Sequence, residues 1–94
     1  MSAVTLDFPN PSRSFDKVRS AVRFIGHDGM FEVRFFVEAD ALAGVGAKPG
    51  TREAMEAACL AAFDQARALI YDVARKLYSR GRQTNYVITA DDLR

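Results

Sequence analysis

The chain has 94 residues, 49% of them hydrophobic, with thirteen basic side chains against twelve acidic and a formal net charge of +1. That length suits one domain over residues 1–94 and leaves no room for a second core, while the apolar content excludes wholesale disorder. Balanced charge excludes global steering toward nucleic acid or an anionic membrane, and the absence of a signal-like start or an eighteen-residue apolar run predicts a cytoplasmic protein without membrane attachment.

Val4, Leu6 and Phe8 alternate with Thr5 and Asp7, the period of a short strand. Pro9-Asn10-Pro11 ends it, because proline donates no ladder hydrogen bond, and the spacing predicts a surface loop from Pro9 to Asp16. Alternation resumes at Val18. With Asp28-Gly29 as the central residues of a type I′ turn, His27 faces Met30, and Phe24, Val22 and Ser20 pair with Val33, Phe35 and Val37. This hairpin puts Val22, Phe24, Val33, Phe35 and Val37 on one face, and Ala21, Arg23, Ile25, Glu32, Arg34, Phe36 and Glu38 on the other.

Ala39–Val45 reads as a brief helical turn, followed by a connection containing Gly44, Gly46, Pro49 and Gly50. Thr51 suits an N-cap, with Glu53 in the first turn of one long helix reaching about Ser79. Its apolar stripe is Met55, Cys59, Ala62, Phe63, Ala66, Leu69, Ile70, Val73 and Leu77. Gly81 suits a left-handed residue after the helix. Thr84–Ile88 reads as a last strand, and Thr89 as the cap of a final turn through Leu93. The predicted fold is α+β: a small antiparallel sheet, β-β-β-α-β, with one long amphipathic helix on one face.

The order Val22-x-Phe24, Asp28-Gly29, Val33, Phe35, Val37 and Leu42 is followed on the helix by Phe63, Arg67, Ile70, Ala74 and Tyr78, then by a strand before Asp91-Asp92. In this order and spacing the chain resembles a family of short bacterial proteins, domain of unknown function 1488 (DUF1488), over nearly its whole length. The resemblance implies an α+β fold and a bacterial cytoplasmic protein, and it carries no catalytic residues.

His27 beside Asp28 has the composition of a general-base pair, but consecutive strand residues point to opposite faces, so it reads as a rim residue beside the turn. Cys59 lies within the apolar stripe and reads as packing, and a lone cysteine and a lone histidine offer no zinc site. Arg67 at the stripe's edge reads as a side chain with its stem on the core and its head in water. No cofactor or metal is implied, and an enzyme ranks last for want of convergent catalytic groups.

Two surfaces remain. Arg23, Ile25, Met30, Arg34 and Phe36 lie on the hairpin's outer side, where a semi-apolar patch suits a homodimer or another protein partner. Arg75, Lys76, Tyr78, Arg80 and Arg82 gather at the end of the helix, where arginines reach phosphates and tyrosines stack on bases; this is the alternative, nucleic-acid reading.

Overall fold

The computed structural model describes residues 6–43, 52–81 and 83–93. Five strands, β1 (Leu6–Asp7), β2 (Arg13–Asp16), β3 (Ala21–Asp28), β4 (Phe31–Glu38) and β5 (Asn85–Ile88), form one sheet. Helices α1 (Ala39–Ala43), α2 (Arg52–Gln65) and α3 (Arg67–Arg80) connect β4 to β5, and a 3-10 turn covers Asp91–Leu93. The order is β1-β3-β4-β5, with β2 sharing the outer side of β3 with β1. All pairings are antiparallel except β4 with β5, which run parallel, as strands joined through a helical crossover do. The expected α+β fold is present, and the sheet is mixed. Among the described residues no helix is long and apolar enough to cross a membrane.

The loop expected from Pro9 to Asp16 instead contains β2. Arg13 pairs with Phe24 and Phe15 with Val22, so β1 and β2, on either side of the proline segment, extend the same edge. Four residues are too short a run for alternation to stand out in sequence. The hairpin register also differs from expectation. Phe24 pairs with Phe35 and Val22 with Val37, and the turn residues are Gly29 and Met30 rather than Asp28 and Gly29. Gly29 takes φ 61° while Met30 does not enter positive φ, the arrangement of a type II′ turn with glycine first. The slip is two residues, an even number, so every paired side chain keeps its predicted face.

Val22, Phe24, Val33, Phe35 and Val37 accordingly join Cys59, Phe63, Ile70, Val73 and Ala74 of the helices in one core with Tyr86 and Ile88. Phe24 stacks on Phe35 at 5.1 Å between ring centres, Phe63 tilts against Phe24 at 5.1 Å, and Phe8 stacks on Tyr71 at 3.9 Å. Gly26 is required between these rings. A Cβ there would lie 2.9 Å from Phe8, 3.0 Å from Leu6 and 3.3 Å from Phe35.

The single long helix expected from the periodicity is broken at Ala66, at φ −102° and ψ 16°. Hydrogen bonds from Ala66 N to Ala62 O (3.0 Å) and from Ile70 N to Ala66 O (2.9 Å) carry the ladder across the break. The bend contains no proline or glycine, and it leaves Leu69 exposed rather than on the stripe. The N-cap expected at Thr51 and the glycine-rich connection lie outside the described residues. Gly81 is extended, at φ 164°, rather than left-handed, and its carbonyl accepts the Tyr86 hydroxyl (2.9 Å).

Ion pairs fasten the bend to β2 and the proline segment. Asp64 receives Arg13 through Nε (3.0 Å) and Nη2 (2.7 Å), and Arg67 through Nη2 (2.8 Å). Arg67 Nη1 also donates to the Pro11 carbonyl (3.1 Å) and the Tyr71 hydroxyl (2.6 Å). Hydrogen bonding from Arg13, then from Arg67, holds the Asp64 carboxyl below its ordinary value of 3.8.

Gly26→Ala is expected to lower stability by about 1–3 kcal/mol in urea unfolding, since the added methyl must displace aromatic rings. Asp64→Asn is expected to cost at most about 1 kcal/mol near neutral pH, as a solvent-exposed pair does. Because the folded-state value is depressed, that contribution is complete above pH 3.8 and fades as pH falls below it. Unfolding midpoints of the two proteins should therefore converge in acid.

Candidate functional site

All three helices lie over or beside the core face of the sheet, and the opposite face carries no described helix. On that outer face Arg23 stands between Ser14 and Phe36, and Ile25 opposite Arg34. Arg34 neighbours Asn85, Phe36 neighbours Val87, and His27 stands between Asp7 and Glu32. Four of the five residues singled out for the interface, Arg23, Ile25, Arg34 and Phe36, therefore share one surface.

Phe36 is only 4% exposed, although it is not part of the core cluster. The guanidinium of Arg19 lies 4.4 Å from its ring centre and covers it, a cation over an aromatic face. The turn at 17–20 brings Arg19 there: Asp16 Oδ1 accepts the Arg19 N–H (3.0 Å), Asp16 pairs ionically with Arg19 Nε (3.6 Å), and Ser20 takes φ 51°. Met30 does not join the patch. It sits in the hairpin turn, 97% exposed, beside Phe31 at 74%. Phe31, not singled out from sequence, stands beside the turn opposite Asp28.

The electrostatics of the face are uneven. Arg13, Arg19, Arg67 and Arg75 each have a carboxylate partner. Arg23 and Arg34 are diagonal neighbours on the ladder, and among the described residues neither has an ion pair or hydrogen bond. Arg34 is exposed and Arg23 half-buried. Their opposite-charge neighbours, Glu32 and Glu38, lie toward the two ends of β4.

The basic end of α3 is arranged differently. Arg75 turns inward, its guanidinium 5.2 Å from the Phe8 ring centre, with Nε donating to the Leu6 carbonyl (3.4 Å) and Nη1 to Asp72 (3.3 Å). Tyr78 donates to Asp28 and lies edge-on to Tyr86 at 5.8 Å. Lys76 and Arg80 are exposed, and Arg82 lies outside the described residues. Asp92 accepts from Thr89 N (2.9 Å) and Oγ1 (3.1 Å), closing the final turn as expected.

His27 borders a shallow depression of about 490 Å³ with Asp7, Phe8, Pro9 and Gly29. Cys59 is buried, and burial pushes its thiol up, which disfavours the thiolate. Among the described residues no three His, Cys, Asp or Glu side chains converge to hold a metal.

No curated protein matches the chain. It is similar in structure to a crystal structure of a protein of unknown function of the DUF1488 family from Shewanella loihica PV-4. The TM-score is 0.77 at 18% identity, over 94% of this chain and 96% of that one, a likeness of fold. The family model described as "Protein of unknown function (DUF1488)" matches residues 6–93, so the chain belongs to the DUF1488 family.

Proposed function

We propose that the chain is a non-enzymatic, bacterial cytoplasmic interaction module that receives an acidic segment of a partner protein on its outer sheet face. The observation that carries this reading is the pair Arg23 and Arg34, adjacent on a face that no described helix covers and, among the described residues, without a carboxylate. A half-buried guanidinium is costly to leave unpaired, and a planar, bidentate donor suits a carboxylate. Phe36 under Arg19 and half-buried Ile25 give the arginines a firm apolar floor. Arginine and aromatic residues of this kind dominate protein interfaces. In the alternative nucleic-acid surface Lys76 and Arg80 have no ion pair among the described residues, but its tyrosine, Tyr78, is committed to Asp28 and packs edge-on to Tyr86.

The test is a pull-down from bacterial lysate, with and without nuclease, using Arg23→Glu/Arg34→Glu and Lys76→Ala/Arg80→Ala variants. These positions are preferable to Phe36, whose burial would confound folding with binding. The expected result is co-purifying protein that survives nuclease, is lost with the first double variant and is kept with the second. Material removed by nuclease and by Lys76→Ala/Arg80→Ala would assign the function to the end of α3.

A further inference from the structure

β5 is bonded to β4 on one side only, and no described residue bonds its outer backbone edge. Alternate residues of a strand direct their N–H and C=O groups to opposite sides, so this edge offers a row of unused donors and acceptors. Proteins blunt such edges with charge, proline or interruption. The opposite edge of this sheet is treated in that way: Pro9 and Pro11 split it, and Asp7, Arg13 and Asp16 place charges along it. β5 has none of these protections. Each of the other four strands contains a charged residue, whereas Asn85-Tyr86-Val87-Ile88 contains none, and the uncharged run extends from Gln83 to Ala90.

We infer that β5 is the seam of a two-fold dimer, in which it pairs antiparallel with β5 of a second copy of this chain. The lack of charge selects that occupant. A strand meeting its own copy across a two-fold axis brings like residues together, which an uncharged strand permits without repulsion. Directly opposed residues of an antiparallel pair share a face, so the axis passes at the level of one residue. At Val87 it sets this side chain, 45% exposed on the outer face, against its own copy. The same strand holds Asn85 Oδ1, which is buried with no donor among the described residues. Four residues a side make a small seam, below the standard interface size, so the dimer is expected to be a weak one. The inference does not rest on the outer-face reading, because the axis lies at the sheet edge and leaves Arg23 and Arg34 uncovered.

Sedimentation equilibrium from micromolar to millimolar concentration tests it. The wild type is expected to pass from the monomer to the dimer mass, and Val87→Lys, which sets two ammonium groups at the axis, to remain monomeric with an unchanged circular dichroism spectrum. Arg23→Glu/Arg34→Glu is expected to dimerise as the wild type does. Hydrogen exchange on the wild type gives a second reading, in which β5 amides gain protection as concentration rises. A monomer throughout, a dimer that survives Val87→Lys, or one abolished by the arginine variant would overturn the inference. So would β5 exchange that is independent of concentration.

Discussion

The contact between Phe24 and Phe35 organises this molecule. They are cross-strand partners at the centre of the β3–β4 hairpin, and their stacked rings form a platform that other aromatic side chains complete. Phe63 arrives from α2, Tyr86 from β5, and Phe8 from the segment after β1. Segments on both sides of the hairpin thus bring an aromatic group to this pair. The requirement for glycine at position 26 follows from the same crowding, since the rings of Phe8 and Phe35 occupy the space a side chain would need. Ring pairs of this kind add about 0.5–1.5 kcal/mol each beyond the area they bury, so this platform also concentrates the fold's specificity.

Much of this architecture was legible because side-chain parity is insensitive to even shifts. The expected turn was misplaced, yet Val22, Phe24, Val33, Phe35 and Val37 point inward as alternation requires. Cys59, Phe63, Ile70 and Val73 likewise obey helical spacing. What escaped notice was whatever one residue or a few decide. β2 is four residues long, and the break at Ala66 interrupts a helix whose stripe residues Cys59, Phe63, Ile70 and Val73 still share one core. Arg13, Asp64 and Arg67 stabilise both features, but two of the three partners are more than fifty residues from the third. No local pattern announces such a meeting.

The outer face was legible in the same partial way. Alternation placed Arg23, Ile25, Arg34 and Phe36 together, and the ladder does so too. It could not indicate that Arg19 would fold over Phe36, because that depends on a turn whose geometry is set by the Asp16 side chain and a left-handed serine. It also could not separate Met30 from the face, since that needed the register to the residue. The result is a surface less oily than its composition suggests. Its buried aromatic group, Phe36, lies beneath the guanidinium of Arg19.

The parallel placement of β5 has a consequence for how the chain is made. Synthesis delivers the hairpin first, the helices next and β5 afterward. β4 therefore waits with one edge open while Phe35, Phe36 and Val37 lack the neighbours Tyr86, Val87 and Ile88 that close it. The local hairpin and the helices can form early, but the core is sealed only by a strand that pairs across about fifty intervening residues, a non-local closure that slows folding. During that interval the nascent chain leaves β4, with Phe35, Phe36 and Val37, open along one edge, the stage at which chaperones have the most to protect.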